Sequence, residues 1–217
     1  MPLGIFLATA VLLGMRHALD PDHLVAVSTL AAHERRLWPA ARLGLIWGIG
    51  HFLPLALLGL PALLLDLRLP VWMELAVDLA VGAILVLLGA QTLWRLHRER
   101  THRLLHHHRL PRFAAGSRRG WLTLAVGMVH GLAGTGAAAL LALSAAPSAA
   151  AGASYLLAFG VGTCAGMFGV TLGVAAPALA VTARMGGSHG VLRVLTGTAS
   201  IATGVVMCLG IGTELLL

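Results

Sequence analysis

Six apolar stretches, each about long enough to cross the roughly 30 Å hydrocarbon core of a bilayer, fill most of this 217-residue chain. They run over 3–30, 43–65, 71–96, 121–146, 154–181 and 191–216. Inside lipid every backbone polar group must be satisfied within the segment or its partners, so stretches of this kind fold as helices. Hydrophobic residues make up 58% of the chain and charged residues 11%, against roughly 45–50% and 25% in a soluble domain. A soluble enzyme and a disordered tail are excluded. The expectation is an all-α integral membrane protein with six transmembrane helices. The first stretch has no basic region before it and no small-residue cleavage site after it, so it reads as a retained span rather than a signal peptide.

The net charge is +7, and all 15 cations are arginine. Their placement gives this charge its meaning. Thirteen fall on one side of the expected membrane: Arg35, Arg36 and Arg42, then Arg95 to Arg119, then Arg184 and Arg193. Arg68 stands on the other side, and Arg16 lies inside the first stretch. An excess of cations in short loops marks the cytoplasmic face. Both termini are therefore expected outside, and the His- and Arg-rich segment 97–120 in the cytoplasm of a protein of the cytoplasmic membrane. The charge orients the chain in the bilayer and calls for no nucleic acid partner.

The chain also resembles itself. Gly14-Met15-Arg16-His17-Ala18-Leu19 matches Gly127-Met128-Val129-His130-Gly131-Leu132, and Trp47-Gly48-Ile49-Gly50-His51 matches Phe159-Gly160-Val161-Gly162-Thr163. The third and sixth stretches share Leu88-Gly89 and Leu209-Gly210. Two copies of three spans each, 1–96 and 121–217, joined by the loop 97–120, must lie in opposite orientations. Such inverted repeats are the architecture of secondary transporters, which bind their cargo near the midplane.

The most costly residues lie in the first stretch, in Arg16-His17-Ala18-Leu19-Asp20-Pro21-Asp22-His23. An ionisable group within a span costs a few kcal/mol and as a rule lines a cavity or site. Two imidazoles and two carboxylates make a ligand set for a divalent transition metal. On a continuous helix His17, Asp20 and His23 would share a face, with Asp22 turned away. Pro21 removes a backbone donor and drives Asp20 out of helical geometry, so the helix is expected to break near Asp20-Pro21. His130 occupies the position of His17 in the second copy, and His51 ends a Gly-rich run in the second span. His17, Asp20, Asp22, His23, His51 and His130 are the candidate metal residues. Glu74 and Asp78 read as a solvated interfacial face. His97, His102, His106, His107 and His108 lie among arginines, which weaken cation affinity, so a weak metal role and a plain solvated loop are equally open. Cys164 and Cys208 have no metal-type spacing and both lie in the second half, which excludes a thiol relay with one Cys per half. No P-loop is present, so the chain carries no ATPase of its own.

His17-Ala18-Leu19-Asp20-Pro21-Asp22-His23 resembles the H-x4-D-H signature of the nickel/cobalt transporter superfamily (NiCoT/NicO). The run ending at His51 is similar to that group's second signature, and His130–Ala137 resembles the short UreH-type members associated with urease maturation. The resemblance implies transport of Ni²⁺, or Co²⁺, as substrate, with no catalytic cofactor and with His17, Asp22 and His23 at the metal signature. A cytoplasmic metal acceptor is the partner such a protein would serve. The competing readings are an intramembrane metalloenzyme and a metal-binding accessory protein that does not transport. Ligand type does not choose nickel, because imidazole suits Ni, Co, Zn and Cu alike. The arginine asymmetry predicts that a topology reporter fused after Leu217 reads as external; a cytoplasmic signal would reverse the orientation.

Overall fold

The computed structural model describes residues 3–59, 61, 70–105, 116–133, 146–184 and 189–214. Among these the regular structure is entirely helical: α1 (Leu3–His17), α2 (Pro21–Ala31), α3 (Leu37–Pro54), α4 (Val71–Leu105), α5 (Gly116–Leu132), α6 (Ala149–Arg184) and α7 (His189–Glu214). After Pro54, α3 runs on through a π-helical turn, Leu55–Gly59. A proline and a π turn together mark a place where the regular hydrogen-bond ladder is interrupted.

Leu37–Gly59, Trp72–Glu99, Ala149–Arg184 and Gly190–Gly212 are each long and apolar enough to cross a membrane. The pair α1 and α2, bent by 61° at a short break, passes the same test when taken together, as a broken span or a re-entrant loop, which makes four or five candidate passages among the described residues. The chain is a multi-pass membrane protein. Of the expected fourth span, 121–146, the structure gives helix through Leu132, while 134–145 lie outside the described residues. The expected loop 97–120 is helical at both ends, because α4 continues to Leu105 and α5 begins at Gly116; His106, His107 and His108 fall outside the described residues. Large apolar side chains such as Leu12, Leu57, Leu87, Val161 and Val206 point outward, as a lipid-facing surface requires.

The break between α1 and α2 follows from Pro21. Asp20 takes extended geometry (φ −60°, ψ 141°) and Pro21 opens α2 at the position where a missing N–H costs nothing. Turn hydrogen bonds from Leu19 N–H to the Arg16 carbonyl (2.9 Å) and from Asp20 N–H to the His17 carbonyl (3.1 Å) satisfy the backbone across the gap.

Around this bent pair, α1 lies along α6, α3 lies between α5 and α6, and α4 lies along α7. Glycines set these approaches. A Cβ at Gly14 would run into the Phe159 carbonyl and Thr163 N, and one at Gly127 into the Trp47 carbonyl and His51 N. A Cβ at Gly162 would strike the Val11 carbonyl, and one at Gly50 the Leu124 carbonyl. In α4 and α7, Gly82 meets Gly204 and Gly89 meets Gly197. Small residues let helix backbones touch where lipid offers no hydrophobic drive for association.

One end of the bundle is held by ion pairs: Arg119 donates to Glu34 at 3.0 Å and Arg193 to Glu99 at 2.8 Å. The first pair joins the start of α5 to the turn after α2, and the second joins the start of α7 to the end of α4. Arg42 lines a cavity together with Glu34 and Arg119.

Gly14→Ala and Gly127→Ala are each expected to lower stability by about 1–3 kcal/mol, the usual cost of overpacking. Gly173→Ala, where the added methyl meets nothing, is the control. Equal thermal midpoints for all three in detergent would refute the close approach.

Candidate metal centre

The bend brings His17, the last residue of α1, against His23 in the first turn of α2. Their ring centroids are 4.6 Å apart. His51 of α3 completes a triangle, 5.0 Å from His17 and 4.9 Å from His23. His130 of α5 stands 5.6 Å from His23. Four helical segments thus converge on one cluster of imidazoles. One ring nitrogen each from His17, His23 and His51 lies within 4.8 Å of the others, a separation that one metal ion can span.

Hydrogen bonds orient the rings. With the rings neutral, His17 Nδ1–H donates to Asp20 Oδ2 at 2.8 Å and His23 Nδ1–H donates to Asp22 Oδ1 at 3.0 Å. His130 Nδ1–H donates to the Val126 carbonyl at 3.2 Å. In all three rings Nε2 is left as a bare lone pair. His17 Nε2 and His51 Nε2 are 3.0 Å apart, so His51 Nε2–H donates to His17 in this arrangement. His23 Nε2, His130 Nε2 and His51 Nδ1 are buried and have no hydrogen-bond partner. A buried acceptor without a partner costs about 1–3 kcal/mol. Buried imidazole nitrogens left in this state suit a cation.

All six candidate residues therefore meet in one place, but the carboxylates differ from the helical-wheel reading. Asp22 does not turn away: the break re-aims α2, and Asp22 sits on His23. Asp20 sits on His17 rather than capping α2, which has no side-chain cap. Each carboxylate backs one imidazole. Such carboxylate–histidine pairs fix ring orientation and raise the basicity of the far nitrogen.

The cluster is asymmetric in access. His23, His51 and His130 are 1%, 2% and 0% exposed, whereas the side chain of Asp20 is 43% exposed. Asp20, at the α1–α2 break, is the most exposed of these side chains. Toward the arginine end, α2 continues into a packed core of Ala26, Val27, Leu85 and Leu88. Arg42 precedes His51 by nine residues on α3 and Arg119 precedes His130 by eleven on α5. At 1.5 Å per residue these are about 14 and 16 Å, half the depth of a hydrocarbon core.

Two further buried residues, one beside the cluster and one at the arginine end, were not singled out by the sequence. Trp47 is fully buried with its ring 4.7 Å from His130, and its indole nitrogen has no partner. Nothing but the repeat match drew notice to its position. His33, beyond the end of α2, donates Nδ1–H to the Thr29 carbonyl at 3.1 Å. Burial first, then Arg193, pushes its pKa down to about 4, so it carries no charge near neutrality. It follows the last apolar residues of its stretch, where a histidine passes for an interfacial one.

No family model matches the chain, and no solved structure matches it. Among curated proteins it is 33% identical over 202 residues to the urease accessory protein UreH of Bacillus sp. (strain TB-90), covering 92% of this chain and 88% of that protein. It is also 32% and 31% identical to the chloroplast proteins FOR GROWTH AND FERTILITY 1 and 2 of Arabidopsis thaliana, across 73% and 76% of this chain. It spans 46% and 45% of those two proteins.

Proposed function

Since the chain belongs to the NiCoT/UreH-type family, we propose that it is a transporter of divalent transition-metal ions, with Ni²⁺ as its substrate and Co²⁺ as an alternative. The observation that carries this reading is the cluster of His17, His23 and His51, with ligand nitrogens within 4.8 Å of one another and buried ring nitrogens that have no hydrogen-bond partner. Nickel itself is supported by the urease-accessory relative, because urease maturation is what that protein's name describes.

The proposed site takes nitrogen from His17, His23, His51 and His130, with Asp20 and Asp22 holding rings and supplying negative charge. Two imidazole nitrogens bound at right angles to one ion at about 2.1 Å stand about 3 Å apart. The His17–His51 separation suits that geometry. An ion taking both nitrogens displaces the hydrogen they share, and His51 Nδ1, buried without a partner, is open to receive it. Metal binding to such a site requires bare imidazole nitrogens, and the hydrogen bonds to Asp20, Asp22 and Val126 already provide them.

The proposed architecture is six spans in two inverted halves, 1–96 and 121–217. The glycine contacts support it by their reciprocity. The first helix of each half rests on the second helix of the other at matching positions, Gly14 on Phe159 and Thr163, Gly127 on Trp47 and His51. Rocking of the halves about these contacts would expose the ion to one side of the membrane and then to the other. Transport, rather than catalysis, is the proposed role, and a cytoplasmic acceptor takes the ion onward.

In proteoliposomes the protein is expected to carry ⁶³Ni²⁺, with Co²⁺ competing. His17→Ala and His23→Ala should each abolish flux at unchanged protein level; flux retained in both sinks the site. Asp22→Asn, which spares the imidazole but removes its carboxylate partner, should weaken Ni²⁺ binding to the purified protein about 10–100-fold. Unchanged affinity would show that the Asp22–His23 pair does not serve the ion.

A further inference from the structure

A second cavity lies at the arginine end, well away from the histidines. It has a volume of 560 Å³ and is lined by Glu34, Trp38 and Arg42 on one side and by Arg119, Trp121 and Leu124 on the other, with Leu43 and Ile46 at its floor. It opens between the first turns of α3 and α5. The metal reading uses none of these residues.

The lining is sorted by depth. Arg42 and Arg119 stand where the helices enter the membrane, while Leu43, Ile46 and Leu124 continue inward as an apolar trough. Glu34 takes one hydrogen bond from Arg119. Arg42 is exposed and has no ion pair among the described residues. The mouth therefore carries an excess positive charge. Trp38 and Trp121 flank it and are 70% and 69% exposed, so their faces are offered outward rather than spent on internal packing. Trp38 is braced edge-on by Phe168 of α6, at 6.3 Å between centroids. A cationic rim, an apolar trough and two aromatic walls at the level of the headgroups complement one kind of molecule: an amphiphile with a negative head and a hydrocarbon tail.

We propose that the cleft between α3 and α5, lined by Arg42, Arg119, Trp38 and Trp121, is a binding site for an anionic phospholipid of the arginine-side leaflet. Arg42 binds the phosphate, Arg119 shares it with Glu34, and one acyl chain lies in the trough over Leu43, Ile46 and Leu124. The site holds α3 and α5, the helices that bear His51 and His130, at their shared end.

The test uses the intact protein in mild detergent, titrated with phosphatidylglycerol or phosphatidylcholine, with bound lipid counted by native mass spectrometry. Phosphatidylglycerol is expected to be held in preference. Arg42→Gln should weaken it about fivefold, the effect of one arginine beside an anionic lipid, with phosphatidylcholine unaffected. Trp38→Ala should weaken both lipids. Arg184→Gln, an exposed arginine outside the cleft, should change neither. Equal binding of the two lipids, or full phosphatidylglycerol binding by Arg42→Gln, overturns the proposal. So does competition by inorganic phosphate at matched concentration, which would make the site one for free anions. A shift of Arg42→Gln from dimer to monomer with lipid binding intact would assign the cleft to a second copy of the chain and overturn it equally.

Discussion

The arrangement turns on one constraint: four imidazole rings are buried together. Each ring has two nitrogens, and each nitrogen must find a partner or stand at a cost. Asp20, Asp22 and the Val126 carbonyl take one nitrogen each. The remaining nitrogens face one another, and their mutual hydrogen bonding is incomplete by necessity, because lone pairs outnumber hydrogens. A cation resolves that deficit and nothing apolar does. The rest of the fold can be understood as the means of putting four rings from separate helices within reach of one point.

Two local devices achieve this. Pro21 cuts the first passage in two, and the 61° bend turns residues 17 and 23 toward each other although a straight helix would set them about 9 Å apart along its axis. Glycine then lets α1, α3, α5 and α6 approach until backbones touch. The two are coupled, since Gly14 lies one turn before His17, and Gly127 and Gly131 bracket His130 while packing on the backbone of α3 around His51. Backbone contact fixes the ring positions more tightly than side-chain packing would, because it leaves no rotamer to adjust.

How far the sequence foretold this depends on whether the signal was local. The break was legible because proline acts on its own neighbour. His17 and His23 were legible because ionisable groups in an apolar run are expensive wherever they end up. His130 was legible through its internal match with His17, and His51 through the Gly-rich run that it ends; both are properties of the chain and not of its folding. The aim of Asp22 was not, because a helical wheel assumes the continuity that Pro21 destroys. The register of α4 against α7 was not either, because the contacts of Gly82 with Gly204 and of Gly89 with Gly197 join residues far apart in the chain. Trp47 and His33 derive their surroundings wholly from tertiary packing, so no periodicity could single them out. The cleft between α3 and α5 was likewise hidden, since its rim joins residues 34–42 to residues 119–124, far apart in the chain.

The arginines pose the last question, since a chain of net charge +7 is a poor path for a cation. Geometry separates the two charges. Arg42 and Arg119 stand about 14–16 Å from the cluster along their helices, and Arg119 and Arg193 are partly neutralised by Glu34 and Glu99. An anionic headgroup on Arg42 would neutralise a third. Close to the cluster the balance is opposite, with Asp20 and Asp22 against Arg16, whose side chain is exposed and turned outward. Coulomb energy falls with distance and rises as the dielectric constant drops, so carboxylates at 2.8–3.0 Å from the imidazoles outweigh arginines half a membrane away. On this reading the positive end acts on the ion only after it has left the cluster, where repulsion from Arg95, Arg119 and Arg193 keeps it from lingering and His33, uncharged beside them, adds no further barrier.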